Sequence, residues 1–533
     1  MSPELLAVIV AIFLAVADNR AFLSAALSGR PAGALSTWGF AAALLVMLTA
    51  LHTLLMALVL SRWLVRPLLS LLITLAAIAS YYVQKFGVYL DPTMVRNVVH
   101  TDFAEARELL SLDLLQHLVL YAVLPVFVVW WVELNRASWR HVLLSRLALL
   151  FGSAALLVLS LLLVYQDFSA LMRNHKEMRY LITPANAIYS FGRTIAADNR
   201  PANRARVPVG TDAHLAAGWA DRSRPALFVV MVGETARAAN WGLNGYQRQT
   251  TPELAALDVV NFPDVRACGT NTETSLPCMF SAVGRRDYDE DRIRHSDSLL
   301  HVLARAGFDV VWRDNQSGCK GVCAGLPEQR LEGSDVPDLC SGGRCLDRIL
   351  LRGLDSIARD AKGNLVVILH MLGNHGPAYF KRYDEAFKRF TPACETEELH
   401  KCSRAQVVNA YDNALLYTDH VVAETIAFLK AQSGKFDTGL IYVSDHGESL
   451  GENGLYLHGI PYAIAPSEQT RIPMVWWLSS SFEKNFGIDG KCLKDIAAKP
   501  VSHDNLFHSV LGLLQVQTSA YERTLDVSAG CRR

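Results

Sequence analysis

The sequence predicts a two-part protein: an α-helical domain that crosses a membrane five times, then an extracytoplasmic α/β domain on a mainly parallel sheet. Three observations predict it. The first 165 residues are dominated by long apolar runs, all ten cysteines lie after residue 267, and from Pro225 short apolar runs alternate with helix-like stretches. Disulfides persist only in oxidising compartments, so a cysteine-free apolar half ahead of a cysteine-bearing half places the second half outside the cytoplasm. A length of 533 residues exceeds what one core organises, and 51% hydrophobic residues with a mean hydropathy of +0.19 is high for a soluble chain. The net charge of zero gives no electrostatic footprint for nucleic acid.

Five segments are long enough to cross a bilayer, which takes about 20 mostly apolar residues: 5–27, 38–60, 67–83, 115–132 and 147–164. The amino end, Met1-Ser-Pro-Glu4, lacks a basic region and four more spans follow, so the first reads as a retained span rather than a signal peptide. Arg62 and Arg66 follow the second span, and Arg136, Arg140 and Arg146 follow the fourth, which makes those loops cytoplasmic. An odd number of spans then puts everything after about residue 165 outside, in agreement with the cysteines.

Asp18-Asn19-Arg20 interrupts the first span. Polar groups at that depth face a bundle interior or water, unless Asp18 and Arg20 pair with each other. The loop 84–114 is longer than a connection requires and carries Asn97, Thr101 and Glu105 at i, i+4 and i+8, one face of a helix. On spacing alone they form a solvated polar face. Residues 166–224 read as a connector, with amphipathic stretches in 168–195 suited to a membrane surface and a polar linker over 197–224.

In the second half, strands are expected at 226–232, 308–312, 364–369, 439–443 and 472–477, with helices at 299–306, 346–357 and 409–429. Ligands of such sheets gather beyond the carboxyl ends of the strands. There stand Gly233-Glu234-Thr-Ala-Arg237, His370-Met-Leu-Gly-Asn-His375 and Asp445-His446-Gly-Glu448, with His458 a dozen residues on. Glu234, Asp445 and His446 offer two hard oxygens and an imidazole, a set suited to Zn²⁺ with a position left for a nucleophile or substrate. His375 and His458 suit a second ion or a substrate phosphate. One strand-end acid alone is a helix cap and one histidine a surface group; their recurrence at several strand ends argues for a site. Ala267-Cys268-Gly-Thr270-Asn-Thr272-Glu-Thr274-Ser275-Leu-Pro-Cys278 supplies hydroxyls, and contact with Zn²⁺ turns a hydroxyl into a nucleophile. The same run also reads as a capped turn closed by a structural disulfide. Gly447-Glu-Ser449-Leu-Gly451 matches the serine-hydrolase elbow formally, but Ser449 lies six residues beyond Val443, where that strand-to-helix turn is misplaced.

Glu234-Thr-Ala-Arg237, Cys268-Gly-Thr-Asn-Thr272 through Pro277-Cys278, Asn374-His375-Gly-Pro-Ala-Tyr379 and Ser444-Asp445-His446-Gly-Glu448-Ser-Leu-Gly-Glu452 together resemble the lipid A phosphoethanolamine transferases, which include the mobile colistin-resistance enzymes. The resemblance covers nearly the whole chain. It implies an alkaline-phosphatase/sulfatase-like catalytic domain at 225–533, facing the periplasm from a five-span anchor at 1–165 in a bacterial inner membrane. It further implies that Thr272 becomes phosphoethanolaminated, that Glu234, Thr272, Asp445 and His446 bind the catalytic Zn²⁺, and that His375 and His458 stand near substrate or a second zinc. Asn97, Thr101 and Glu105 match donor-site residues, which reassigns that face, and Ser317 and Lys320 match a further substrate-contacting pair. The implied donor is phosphatidylethanolamine and the acceptor lipid A. The implied enzyme is a monomer, and its product, carrying less negative charge, binds polymyxins more weakly. Cys319 and Cys323 are absent from some relatives. A phosphoglycerol transferase, or another envelope lipid or glycan as acceptor, stays open; a sulfatase does not fit, since no Cys- or Ser-x-Pro-x-Arg run is present. Spacing suggests Cys268–Cys278, Cys319–Cys323, Cys340–Cys345 and Cys394–Cys402 as local disulfides, leaving Cys492 and Cys531 for each other, although sequence does not fix connectivity.

Overall fold

The computed structural model describes the chain apart from Leu60, Asp102, Arg136, Ala137, residues 199–205, Glu332, Arg533 and the side chains of residues 103–105 and 197–198. It divides into one unit of Met1–Arg96 and Leu110–Asn199 and another of Asn97–Leu109 and Arg200–Arg533.

The first unit is helical. Leu35–Val59, Val65–Phe86, Leu112–Trp131 and Trp139–Leu163 are each long and apolar enough to cross a membrane, and the expected first span is a pair, Pro3–Asp18 and Arg20–Leu27, bent by 58°. Asn19 sits at the bend. Its amide donates to the carbonyls of Leu14 (2.9 Å) and Thr183 (2.7 Å), and its oxygen accepts from Thr183 N (2.9 Å), which satisfies backbone left over by the break. Asp18 is buried and accepts from Ser80 Oγ at 2.8 Å, while the Arg20 guanidinium lies over the Tyr121 ring. Asp18 therefore faces the interior of the bundle, and its hydrogen bond goes to Ser80 rather than Arg20.

The loop 84–114 departs from a single helical face. It forms two short helices, Pro92–Val99 and Phe103–Glu108, with Thr101 in the break. The Thr101 hydroxyl donates to the Asn97 carbonyl at 2.6 Å, a side-chain bond that competes with helix continuation. The side chain of Glu105 lies outside the described residues. The expected polar linker is also partly built in: Val207 bridges Ser296, and His214–Leu215 pairs with Val516–Gln517.

The second unit is organised by eight strands: β1 (Ala226–Gly233), β2 (Val260–Arg266), β3 (Asp309–Asp314), β4 (Glu328–Arg330), β5 (Leu365–His370), β6 (Asp437–Ser444), β7 (Arg471–Leu478) and β8 (Val501–Ser502). Their order is β8–β2–β7–β6–β1–β5–β3–β4, and all neighbours are parallel except β7, which is antiparallel to β2 and β6. β1 is buried throughout, as a central parallel strand covered on both faces must be. Phe228, Val230 and Val232 enter one apolar core with helices Leu299–Arg305 and Asp504–Leu513, while Leu227, Val229 and Met231 enter another under Arg404–Ala431. β2 escapes sequence reading because Asn261, Pro263, Asp264 and Arg266 leave it no apolar run, whereas β7 keeps one despite Pro473; the register of the two strands slips between Ile472 and Met474. The helix expected at 346–357 is broken at Gly353 (φ 81°) into a 3₁₀ turn, Asp347–Leu351, and Leu354–Asp360.

The disulfides join Cys268–Cys278, Cys319–Cys323, Cys340–Cys345, Cys394–Cys402 and Cys492–Cys531.

Candidate active site

Glu234 follows β1 and Asp445 follows β6. These strands are adjacent and parallel with Gly233 opposite Ser444, so the two carboxylates emerge side by side at the carboxyl edge of the sheet. Thr235, in left-handed backbone at φ 52°, re-aims the chain there. It is held by Tyr411, whose hydroxyl donates to the Thr235 carbonyl at 2.6 Å, and its N–H donates to Asp445 Oδ1 at 3.2 Å. Strain kept in place by surrounding bonds is a mark of functional sites.

Thr272 opens the helix Thr272–Met279, whose N-cap Asn271 accepts from Thr274 N at 2.9 Å, and Cys268–Cys278 closes the turn. The neighbouring hydroxyls are tied elsewhere: Thr270 Oγ1 donates to the Ile460 carbonyl (2.7 Å) and Ser275 Oγ to the Asp445 carbonyl. The Thr272 hydroxyl, unlike these two, turns to the acids. Its Oγ1 donates to Glu234 Oε2 at 2.9 Å and lies 3.4 Å from His446 Nε2.

Glu234, Asp445 and His446 are fully buried, with ligand atoms within 4.8 Å of one another. His446 Nδ1 lies 2.9 Å from the Gly447 carbonyl and donates to it, so Nε2 faces the carboxylates. Glu234 Oε1 and Asp445 Oδ2 stand 3.3 and 3.4 Å from that nitrogen and have no other partner among the described residues. Burial pushes Asp445 up to about 7, with Glu234 adding to the rise. Burial opposes charge on His446, yet Asp445 and Glu234 outweigh it and lift the imidazole to about 10. Two buried carboxylates around one imidazole require a cation for balance. The orphaned oxygens and the imidazole nitrogen fit a divalent metal such as Zn²⁺, and the Thr272 hydroxyl stands beside them.

Around this cluster the structure brings in residues that sequence reading did not single out. Gln316 donates to Glu234 Oε2 at 3.0 Å. His503 accepts from Cys268 N at Nδ1 and donates to the Ser444 carbonyl through Nε2, both at 2.9 Å, tying the Thr272 turn to the end of β6. Glu448 binds His458 Nδ1 at 2.8 Å and accepts from the Tyr379 hydroxyl at 2.6 Å. Gln316 and Glu448 stand within runs already suspect; nothing in the local sequence marks His503.

The remaining expected residues lie at varied distance. The His458 ring is 4.4 Å from that of His446 and 5.4 Å from that of His375. Lys320, in left-handed backbone at φ 49°, places Nζ 3.6 Å from Glu273, the residue after Thr272. The Ser317 hydroxyl turns to Gln316 Oε1 at 2.7 Å. Asn97 and Thr101 group with this unit but bond to each other rather than to the cluster. Ser449 sits in a two-residue strand, Ser449–Leu450, and its hydroxyl accepts from Gln469, which is not an elbow.

Comparison with known proteins agrees with this fold. A family model described as Sulfatase matches residues 226–516, and one described as Phosphoethanolamine transferase EptA/EptB matches residues 48–198. Phosphoethanolamine transferase EptA of Escherichia coli strain K12 is 41% identical over 473 residues, 88% of this chain and 86% of its own. Phosphatidylethanolamine transferase Mcr-1 of Escherichia coli is 37% identical over 529 residues, covering 97% and 95%. The solved structure of the integral membrane protein lipooligosaccharide phosphoethanolamine transferase A from Neisseria meningitidis superposes with a TM-score of 0.94 at 40% identity, over 99% of both chains. Fold and relatives define the class, an integral membrane enzyme with a sulfatase-like domain. The chain belongs to the phosphoethanolamine transferase family.

Proposed function

We propose that this enzyme moves phosphoethanolamine from phosphatidylethanolamine to a phosphate of lipid A through a phosphoethanolamine–Thr272 intermediate. The observation that carries the reading is the Thr272 hydroxyl at the carboxyl edge of the sheet, bonded to Glu234 at 2.9 Å beside His446. The names of the relatives support donor and acceptor: Mcr-1 is a phosphatidylethanolamine transferase, and a 27% identical relative is a Kdo(2)-lipid A phosphoethanolamine 7''-transferase. We read the chain as a monomeric inner-membrane enzyme with its catalytic domain in the periplasm; the last point is supported by the C-terminal periplasmic domain of phosphoethanolamine transferase EptC from Campylobacter jejuni, 41% identical over 60% of this chain.

Glu234, Asp445, His446 and Thr272 would hold Zn²⁺, which supplies Lewis-acid chemistry: a more acidic hydroxyl and neutralisation of phosphoryl charge. The bond from Thr272 Oγ1 to Glu234 aims an oxygen lone pair at the entering phosphorus. As the Thr272 O–P bond forms, the Thr272 proton passes along its hydrogen bond to Glu234, the bond to the glycerol oxygen breaks and diacylglycerol leaves. His458 would pass a proton to that oxygen from Nε2, with Nδ1 bonded to Glu448. A lipid A phosphate oxygen then attacks the same phosphorus, the Thr272 O–P bond breaks, and the threonine oxygen takes its proton back from Glu234. The ammonium added to lipid A offsets negative charge, so cationic polymyxins bind more weakly.

Mass spectrometry of lipid A from cells expressing the wild-type chain should show added phosphoethanolamine, and from cells expressing Thr272→Ala none. Modification by the alanine variant would remove Thr272 from the nucleophile role.

A further inference from the structure

We propose that a two-point polar clamp fixes the segment Asn97–Leu109 against the catalytic machinery, with Glu273, His100, Glu108 and Arg382 as positioning residues. The proposal rests on Thr272 as nucleophile. The segment is flanked in sequence by the membrane-length helices Val65–Phe86 and Leu112–Trp131, yet it belongs by its contacts to the catalytic unit.

The first anchor is Glu273, adjoining Thr272 on the same helix and 2% exposed. Its Oε1 lies 3.1 Å from His100 Nδ1, with Arg294 Nη1 at 3.5 Å and Lys320 Nζ at 3.6 Å from the carboxylate. Lys320 Nζ also reaches the His100 carbonyl at 3.5 Å, and Arg294 donates to the Glu273 carbonyl at 2.6 Å. A carboxylate beside the nucleophile thus gathers a histidine from the segment, the expected substrate-contacting lysine and an arginine.

The second anchor is the ion pair of Glu108 with Arg382, whose side chains are 6% and 1% exposed. Arg382 Nε donates to the His375 carbonyl at 2.8 Å. One anchor therefore ends beside Thr272 and the other on the backbone of His375. Thr101 lies between the two anchor points in sequence, and Asn97 is tied to it by the Thr101 hydroxyl.

An ion pair as buried as Glu108–Arg382 adds little net stability, because desolvation offsets the attraction, but its geometry is specific. Their use here is positional: a lipid headgroup held by the segment must present its phosphorus to Thr272, and transfer tolerates errors of only about 0.5 Å.

The test uses the full-length enzyme in mixed micelles of phosphatidylethanolamine and lipid A, with kcat, KM for the donor and the thermal midpoint measured for each variant. His100→Ala and Glu273→Ala should each raise KM about tenfold and change kcat far less. The double variant should be no worse than the worse single one, since both remove one interaction. Glu273→Asp should restore most of the KM, and Glu108→Gln should reproduce the KM effect. His100 is 39% exposed, so its variant reads the clamp even where Glu108→Gln fails to fold. Multiplying effects in the double variant, or a fall in kcat at unchanged KM, would overturn the clamp. Thr272→Ala is assayed in parallel, because activity retained there sinks the nucleophile instead.

Discussion

Gly373→Ala tests whether the position of Glu234 limits the chemistry. Gly373 lies in the turn after β5 with φ 52°, and a Cβ there would stand 2.6 Å from the Glu234 carbonyl oxygen, 2.8 Å from its nitrogen and 3.0 Å from its Cβ. Ordinary contact begins at 3.4 Å, so one backbone must retreat by roughly 0.8 Å. Asp347 holds the turn from behind, accepting from Leu372 N and Gly373 N at 2.8 Å each, and Asn374 N donates to the Glu234 carbonyl at 2.9 Å. The push therefore falls on Glu234. Left-handed backbone costs alanine about 1–2 kcal/mol and overpacking about 1–3 kcal/mol, together roughly 2–5 kcal/mol of stability. A displacement approaching 1 Å at a reacting centre costs about 100-fold in rate. The expected result is a folded variant with a lower thermal midpoint, reduced zinc content and kcat down about 100-fold. Gly353→Ala is the control: Gly353 has φ 81° with nothing within 4 Å of the added Cβ, so only the backbone cost applies. If Gly373→Ala loses no more stability than Gly353→Ala and keeps transfer within a few fold, the steric reasoning is refuted.

Removing zinc with a strong chelator should abolish transfer, and Glu234→Ala, Asp445→Ala and His446→Ala should each purify depleted of metal; full activity in a metal-free preparation would end the zinc reading. A pH effect on stability is expected from His503, which burial lowers to about 4 from its ordinary 6.5, against the raising effect of its bond to the Ser444 carbonyl. The unfolded chain then binds the extra proton first, so stability is intact above pH 6.5 and declines toward pH 4, by an amount on the order of 3 kcal/mol. Thermal midpoints across pH 7 to 4.5 should fall less steeply for His503→Gln than for wild type, and equal slopes would show that His503 does not carry the effect.

The membrane helices and five of the eight strands are legible because their signals are local: apolar runs of bilayer length, and short apolar runs bounded by turns. What escapes is set by distant partners. The bend at Asn19 exists because Thr183 bonds that side chain from 164 residues away. The segment after residue 206 reads as linker because its own residues are polar, yet it pairs with strands near the carboxyl end. β2 hides because Asn261, Asp264 and Arg266 leave no apolar run, and it becomes a strand only by pairing with β7.

The same distinction runs through the site. Residues at strand ends can be nominated from sequence, since a parallel sheet offers its ligands there. That Glu234 and Asp445 stand side by side depends on the register of β1 with β6, which pairs Gly233 with Ser444 across more than 200 residues. Glu273 shows the limit most sharply. In sequence it is an acid in the first turn of a helix, where acids are ordinary companions of the helix dipole. Only folding reveals that it is buried and surrounded by His100, Arg294 and Lys320. A first-turn acid needs no burial to serve the dipole, so the dipole does not account for a carboxylate that is 2% exposed and gathers three basic side chains. Its environment is explained by what it holds: the segment that carries Asn97 and Thr101, beside Thr272.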